Sequence, residues 1–351
     1  CDEAFNGDEF TPSLFIEALL KLEHQSIIKL KQLNQCTSHI VKAIKIEKQL
    51  KYDLNKQVIG QREAIESLTK GYLTSNIGES EGPRLIFTFA GPSGVGKTYL
   101  SSIFCDLLNQ YEKSGYVFTT FNMEQYAGKQ DMMKLFGSGL QYNDANLGVL
   151  TSAVRAQPRQ ILLFDEIEKA HPNIIQSLLS VLDKGVAQDQ TSQEFISFTQ
   201  CIVIFTTNLG QGILAKNNQK HPLNIFDVLR NTENPATKTK LSVEFINRLA
   251  KGYSILFSSL QINHFAYLAE RELNKPTTFQ NMLNFYWPEN FPSFLLQSLA
   301  PEITARQLTN CLSKLKAEIL SKASDLIDED MSLISCKIKV EENTTAAEVK
   351  K

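Results

Sequence analysis

Short apolar runs alternate with longer amphipathic segments through the middle of the chain. Five runs rich in β-branched and aromatic residues predict strands, at residues 85–89, 116–122, 160–164, 201–206 and 253–257. Between the first two, residues 99–110 place apolar side chains on one helical face. Strands that alternate with helices predict an α/β fold with a parallel five-stranded sheet covered on both faces. Ligands of such sheets bind at the carboxyl ends of the strands.

The two ends of the chain follow a different pattern. Residues 11–33 suit two short packed helices and residues 40–54 suit another. After residue 258, helical periodicity runs through 260–273, 291–299 and 305–326, with short strand candidates at 282–287 and 333–340. We therefore expect a helical N-terminal extension (1–50), a large α/β domain (51–257), a small, mostly helical α+β domain (258–340) and a flexible polar tail (341–351).

Composition narrows the class of protein. The chain has 351 residues, a formal net charge of -2 and 21% charged residues, which argues against a general nucleic-acid binder. Its six cysteines form no C-x-x-C pair, which argues against a zinc site or a disulfide scaffold. The scattered cysteines indicate a reducing compartment. No apolar run is long enough to span a bilayer. We expect a cytoplasmic protein without a membrane partner.

The first predicted strand runs into a complete phosphate-binding loop. The segment reads Gly91-Pro92-Ser93-Gly94-Val95-Gly96-Lys97-Thr98, and a helix is predicted from Tyr99 onward. The glycines let backbone N–H groups curl around an anion, and the helix N-terminus adds partial positive charge. Lys97 is expected to reach the β- and γ-phosphates of ATP, and Thr98 to offer its hydroxyl to Mg²⁺. The alternative is an accidental glycine-rich turn, against which the flanking strand and helix argue.

An acidic pair, Asp165-Glu166, ends the third predicted strand. Beside a phosphate loop, Asp165 would hold Mg²⁺ through water, and Glu166 would orient and polarise the attacking water. The alternative is a helix cap, because Asp and Glu favour first turns. The fourth strand ends in Thr207-Asn208, a polar pair that could contact the γ-phosphate or serve only as a strand-end turn.

These segments resemble one family, the Clp unfoldase and disaggregase branch of the AAA+ ATPases, and within it the second ATPase ring of the two-ring members. The run LFDEIEKAHP at residues 163–172 resembles the family's L-D-E-[IV]-E-K-A-H-P. The run EFINR at 244–248 is similar to E-F-[IL]-N-R, and TARQL at 304–308 to G-A-R-x-L. The resemblance covers about residues 57–340 and keeps the motifs in family order.

The resemblance implies a role for each matching residue. Val58 and Ile59 would cradle adenine, and Asn208 would be the first sensor. Arg306 would act as the second sensor against the γ-phosphate. Arg248 would be the finger that reaches into a neighbouring subunit's ATP; on its own it could equally be a surface salt bridge. Such fingers are worth about 10³–10⁵ in rate.

The chain departs from the family at the pore loop. Where the family carries G-Y-V-G, residues 137–144 read GSGLQYND, a stretch that is one residue shorter. Tyr142 is the aromatic available there to grip a threaded chain, and Leu140 could assist. The alternative is a solvated loop that happens to contain a tyrosine.

Three further departures concern organisation and partners. The chain has one phosphate loop where two-ring members have two, and residues 11–43 faintly resemble part of the Clp amino-terminal substrate domain. The second pore loop, residues 186–193, is polar. Residues 210–242 lack the Ile-Gly-Phe or Ile-Gly-Leu tripeptide of members that dock on a peptidase, so peptidase docking is not expected.

The resulting expectation is an ATP-driven polypeptide-remodelling motor that assembles as a ring of like subunits, six by resemblance. Two alternatives remain open from the residues. One is a nucleotide-dependent scaffold or switch that threads no substrate, which the unusual pore loop favours. The other is a nucleic-acid motor, against which the acidic balance weighs.

Overall fold

A five-stranded parallel sheet lies at the centre of a computed structural model that describes residues 27–76, 81–139, 146–215, 224–235, 237–274, 283–286, 304–324, 334–341 and 344–350. In this part of the chain the strands are β1 (Leu85–Ala90), β2 (Val117–Asn122), β3 (Gln160–Asp165), β4 (Val186–Gln188), β5 (Phe195–Ser197), β6 (Ile202–Thr207), β7 (Tyr253–Leu256), β8 (Leu283–Tyr286), β9 (Ile334–Glu341) and β10 (Thr344–Lys350). The sheet order is β2-β3-β6-β1-β7, and all four pairings are parallel. The predicted α/β fold is confirmed.

Helices connect these strands and cover the sheet. In the described residues they are α1 (Ile27–Gln57), α2 (Arg62–Ser75), α3 (Lys97–Glu112), α4 (Asp131–Phe136), α5 (Val149–Ala156), α6 (Pro172–Lys184), α7 (Gln211–Ala215), α8 (Ile225–Asn231), α9 (Val243–Leu249), α10 (Ile262–Leu273) and α11 (Ala305–Ser324). Short 3₁₀ turns follow β2 (Met123–Tyr126) and β3 (Ile167–Lys169).

Both faces of the central strands are buried, which explains why those strands read as continuous apolar runs. Every residue of β1 and β6 is buried. On one face Phe87 packs edge-on against Phe104 of α3, with ring centroids 6.4 Å apart. On the other face Phe164 of β3 stacks on Phe205 of β6 at 5.2 Å. Successive strand residues therefore feed two separate cores.

The N-terminal prediction of separate helices at 11–33 and 40–54 is wrong where the structure describes it. Residues 27–57 form one continuous helix, α1. The residues between the two predicted helices, 34–39, contain neither glycine nor proline, so nothing in them ends a helix. Leu50 and Leu54 of α1 are fully buried against the sheet-covering helices. The expected domain boundary at residue 50 therefore falls inside a helix that belongs to the large domain's core.

The prediction of a flexible C-terminal tail at 341–351 is also wrong where the structure describes it. Residues 344–350 form β10, which pairs antiparallel with β9, and β9 pairs parallel with β8. The ladder satisfies backbone groups that a frayed tail would leave to water, and Thr344, Thr345 and Val349 are β-branched residues that favour strands. The helix predicted at 291–299 lies outside the described residues.

A half-buried ion pair between Arg84 and Glu112 leads to a prediction about stability. Arg84, just before β1, donates to both carboxylate oxygens of Glu112 at 2.9 and 3.2 Å, and Tyr72 donates to the same carboxylate at 2.7 Å. Glu112→Ala leaves the half-buried guanidinium without its counter-charge. We expect it to lower the free energy of unfolding by about 2–3 kcal/mol in urea titrations. Asp106→Ala, an exposed change on the same helix, should cost under about 0.5 kcal/mol, and equal losses for both would contradict the assignment.

Candidate nucleotide-binding site

The candidate site lies where three neighbouring strands end. Asp165 is the last residue of β3, Asn208 follows β6, and Gly91 follows β1. Because β3, β6 and β1 are adjacent and parallel, their carboxyl ends meet at one edge of the sheet. Residues that are more than 110 positions apart are thereby brought within hydrogen-bond distance.

The phosphate loop needs its glycines for two physical reasons. Gly91 has φ +148°, and a Cβ placed on it would lie 2.5 Å from the Phe257 carbonyl oxygen, so the loop starts too close to β7 for a side chain. Gly96, the N-cap of α3, has φ +102° with open space around it, so its constraint is conformational. The loop between them leads into the amino end of α3, where free N–H groups favour an anion.

Lys97 is the buried cation of the site. Its ammonium donates to the carbonyl oxygens of Gly91 at 2.7 Å and Pro92 at 2.8 Å, and to Oδ1 of Asn208 at 2.7 Å. Burial lowers the pKa of Lys97 to about 8, although the surrounding carboxylates oppose that shift. The lysine is folded back onto its own loop, and a phosphate would replace some of these acceptors.

Asn208 links the lysine to the acidic pair. Its Oδ1 accepts from Lys97, and its Nδ2 donates to Oε1 of Glu166 at 2.8 Å. Glu166 has a left-handed backbone, φ +57°, and its N–H donates to the Thr206 hydroxyl at 2.9 Å. A strained non-glycine residue held in this way is typical of functional sites. The three residues form one chain of hydrogen bonds from ammonium to carboxylate.

The donors present fit Mg²⁺ brought in with a nucleotide. Asp165 accepts from the Thr206 hydroxyl through Oδ1 at 2.5 Å. The Thr98 hydroxyl is half-buried at the start of α3. Mg²⁺ is ordinarily held by one or two carboxylates together with phosphate oxygens and water, so this sparse oxygen set is of the right kind.

Glu168 and Lys169 also lie in the site, although the sequence motif at 163–172 assigned neither of them a role. Glu168 accepts from the Asn208 backbone N–H at 2.9 Å, and Lys169 contacts Oε2 of Glu166 at 2.7 Å. Burial raises the pKa of Glu168. The 3₁₀ turn after β3 brings both side chains back over the strand end. The available signal was their place in the run at 163–172, which does not by itself reveal the turn.

The predicted adenine segment lies beside the phosphate loop. Gln61 is buried, donates to the Val95 and Ser258 carbonyl oxygens at 3.2 and 2.8 Å, and so joins three separate segments. Val58 and Ile59 line a cavity of about 370 Å³ together with two residues of α10, His264 and Tyr267. This volume lies within the range of small-molecule sites. Gln61 and the two α10 residues were not among the predicted site residues.

The structure brings the helix that carries Arg306 to the same loop. Thr304, just before α11, lies so close to Gly94 that a Cβ on that glycine would be 2.8 Å from the threonine Cβ. Arg306 is exposed in the first turn of α11. It therefore starts from a point adjacent to the phosphate loop. Tyr99, in the first turn of α3, is also exposed.

Arg248 lies elsewhere. It is in α9, which immediately precedes β7, and it donates to Asp183 at 2.9 Å near the end of α6. The neighbouring Leu182 carbonyl lies beside Gly82, before β1 begins. Both contacts mark the amino edge of the sheet. A six-residue strand separates the two edges by about 20 Å, so Arg248 does not reach the phosphate loop of its own chain. Leu140 and Tyr142 lie outside the described residues.

Comparison with known proteins places this site in context. Residues 83–251 match the family model described as AAA domain (Cdc48 subfamily). The chain is 34% identical over 203 residues to the chaperone protein ClpB of Clostridium tetani, covering 57% of this chain and 23% of the relative. It is 30% identical over 288 residues to ClpB of Mycoplasma pneumoniae, covering 80% and 38% respectively. The chain thus spans well under half the length of these relatives.

A solved structure gives the same fold. A closed-state cryo-EM reconstruction of Hsp104 with ATPγS and FITC-casein superposes with a TM-score of 0.69 at 23% sequence identity, covering 86% of this chain and 51% of the other. At 23% sequence identity, this match shows the fold of the chain.

The lowered pKa of Lys97 predicts a pH-dependent affinity for ATP. Binding to phosphates needs the charged ammonium, and above pH 8 the free protein has lost that proton and must take it up again. We expect the Kd for ATP to rise by up to about tenfold per pH unit above pH 8 and to be flat between pH 7 and 8. Calorimetric titrations from pH 7 to 9.5 measure this, with Lys97→Met as the weak, pH-independent control. A wild-type Kd unchanged up to pH 9.5 would contradict the assignment.

Glu166→Gln tests the water-orienting role. The amide keeps an acceptor for Asn208 but removes the base, so ATP binding should persist while turnover falls by about 10²–10⁴. Glu124→Gln is the matched control, because Glu124 also contacts Lys169, at 3.3 Å, but does not contact Asn208. Its turnover should stay near that of the wild type. Normal hydrolysis by Glu166→Gln would remove Glu166 from the mechanism.

Proposed function

Because the chain belongs to the Clp-type branch of the AAA+ ATPases, we propose that it hydrolyses ATP and uses the released free energy to remodel other polypeptides. The observation that carries the proposal is the hydrogen-bonded chain Lys97–Asn208–Glu166 at the carboxyl edge of the sheet. It joins a phosphate-binding cation to a general base through one polar side chain. Such an arrangement suits the cleavage of a terminal phosphoryl group.

Each residue would act on a defined part of the nucleotide. Lys97 and the N–H groups of the loop would hold the β- and γ-phosphates, and the segment at Val58 and Ile59 would hold the base. Thr98 and Asp165 would hold Mg²⁺, which neutralises charge on the phosphates. Glu166 would accept a proton from the attacking water, while Asn208 keeps its carboxylate in place. Arg306 would add positive charge from the small domain.

We propose assembly into a ring, and the position of Arg248 supports this proposal. Arg248 lies at the opposite edge of the sheet from its own phosphate loop, and the six residues of β1 separate these edges by about 20 Å, so as a finger it would act on the nucleotide of another subunit. A head-to-tail interface of this kind closes into a ring when the rotation between subunits closes, and we propose six subunits. Hydrolysis would then depend on assembly.

Unfolded polypeptide is the proposed substrate. Relatives of this chain are named as chaperones, and the matched Hsp104 reconstruction includes FITC-casein. Leu140 and Tyr142 would contact the substrate by apolar packing, which needs no particular sequence. The named relatives offer no support for the alternative of a scaffold that threads nothing. Peptidase docking remains unexpected, because residues 210–242 lack the docking tripeptide.

Two observations bear on the compartment. No helix in the described ranges has the length and apolarity to cross a membrane. Cys105 and Cys201 are buried free thiols, and burial raises the pKa of both, to about 11 and about 12. Such thiols suit a reducing compartment, and we propose the cytoplasm.

Mixing two inactive variants tests the shared site. Arg248→Ala keeps its own phosphate loop but offers no finger, and Lys97→Ala binds no ATP but keeps its finger. Each alone should lose most turnover, by about 10³-fold or more for Arg248→Ala. In a one-to-one mixture, about a quarter of the sites join an intact loop to an intact finger, so ATPase activity should return.

The control for mixing is Lys251→Ala. Lys251 shares Asp183 with Arg248, at 2.7 Å, so its loss perturbs the same edge without removing the finger. It should retain turnover. If mixing restores no activity although light scattering shows mixed rings, the finger does not act between subunits.

Substrate class is tested by stimulation of the ATPase. Unfolded protein should raise turnover and DNA should not, and Tyr142→Ala should reduce the response to unfolded protein. Unfolding of a stable tagged protein, measured in the same preparations, separates a motor from a scaffold. Stimulation by DNA but not by unfolded protein would favour a nucleic-acid motor.

A further inference from the structure

A fully buried carboxylate, Asp189, lies in the turn of the β4–β5 hairpin, far from the phosphate loop in sequence. It accepts from the backbone N–H groups of Thr191 at 3.0 Å and Ser192 at 2.9 Å. It also accepts from the Gly148 N–H at 3.1 Å and from the Thr151 hydroxyl, at the start of α5. One side chain thus satisfies groups of the hairpin and of α5 together.

The charge of Asp189 is retained in this environment. Burial alone would raise its pKa, but the donated hydrogen bonds outweigh burial and the pKa of Asp189 is lowered. Arg155 of α5 adds positive charge, 3.9 Å from Asp189 and 3.0 Å from Glu194 on the same hairpin. A buried, ionised and fully hydrogen-bonded carboxylate holds its partners in a single geometry.

Thr191 extends this arrangement to the segment before α5. Its hydroxyl accepts from the Ser138 N–H at 3.0 Å and donates to the Asn146 carbonyl oxygen at 2.7 Å. Ser138 and Asn146 also contact each other directly, through two hydrogen bonds of 3.3 and 3.0 Å. The hairpin therefore holds together the two points between which the residues numbered 139–145 are inserted.

A glycine at the junction supports a built contact. Gly137 has φ +94°, and a Cβ on it would lie 2.7 Å from the Thr191 hydroxyl oxygen. The Gln190 N–H donates to the Phe136 carbonyl oxygen at 2.7 Å, at the end of α4. The hairpin therefore lies so close to residue 137 that only glycine, which has no side chain, fits there.

Both partners of this contact connect directly to the acidic pair. α5 leads through three residues into β3, which ends at Asp165. The hairpin follows α6, which begins just after the turn that carries Glu168 and Lys169. A movement of the strand end and its turn on nucleotide binding would reach Ser138 and Asn146 by two short routes.

We propose that Asp189 and Thr191 are positioning residues that couple the hairpin to the backbone at Ser138, Asn146 and Gly148, so that the hairpin and segment 137–148 respond to nucleotide together. The proposal rests on the proposed function, in which Leu140 and Tyr142 contact polypeptide. Two chemical groups would carry the coupling, the buried carboxylate of Asp189 and the hydroxyl of Thr191.

Thr191→Val tests the coupling without disturbing a core, because Thr191 is only half-buried and valine has the same shape. Hydrogen exchange is measured on the full chain for segments 137–148 and 186–197, with and without a slowly hydrolysed ATP analogue. In the wild type, both segments should change protection on adding nucleotide. In Thr191→Val, segment 137–148 should exchange about fivefold faster and no longer respond, while segment 186–197 still does. Thr191→Ser should restore the shared response.

Enzyme assays supply a second readout. Thr191→Val should keep basal ATPase activity but lose its stimulation by unfolded polypeptide, and Thr191→Ser should regain it. Asp189→Asn, which keeps the shape but removes the charge, should uncouple both segments from nucleotide. A merely structural role would change exchange equally with and without nucleotide.

Three outcomes overturn the proposal. One is a nucleotide response of segment 137–148 that persists in Thr191→Val. Another is unchanged stimulation by polypeptide in that variant. The third is a wild type in which the two segments respond independently. If polypeptide does not stimulate the wild type at all, the proposed function fails, and the exchange comparison alone then decides whether the coupling exists.

Discussion

The burial of one ammonium group is the interaction on which the rest of the site depends. Lys97 lies in a pocket where its charge is costly unless every donor has an acceptor, and it obtains them from Gly91, Pro92 and Asn208. The first two belong to its own loop. The third is available only because β6 lies next to β1 in the sheet. The strand order thus determines whether the lysine can be buried at all.

The contact between Lys97 and Asn208 also positions the other polar groups of the site. Asn208 accepts from the lysine and donates to Glu166, so one amide fixes the relative position of cation and base. Glu168 holds the backbone of Asn208, and Lys169 holds the other oxygen of Glu166. Glu168 and Lys169 both come from the turn after β3. They hold Asn208 and Glu166 in place and need not contact the nucleotide themselves.

The sheet also separates two functions that the proposed mechanism requires to be apart. Phosphate-binding groups collect at the carboxyl ends of the strands, and Arg248 with its partner Asp183 lies at the amino ends. The length of β1 sets the distance between them. Under the proposed mechanism, Arg248 would therefore act on the nucleotide of another subunit, and this position is a geometric argument for the proposed assembly.

Sequence alone determined the sheet and the residue types of the site. The apolar runs, the phosphate loop at 91–98 and the acidic pair at 165–166 are local signals, because strand burial and phosphate binding impose spacing on neighbouring residues. The apolar pattern was misleading at residues 34–39, where it suggested a break although no glycine or proline interrupts α1, and at 344–350, where pairing with β9 made a strand of a polar tail. Tertiary structure alone decided that Asn208 bridges Lys97 and Glu166, that Gln61 joins three segments, and that Asp189 joins the hairpin to the start of α5. Each of these contacts joins residues tens of positions apart, and only the packing of the strands brings them together.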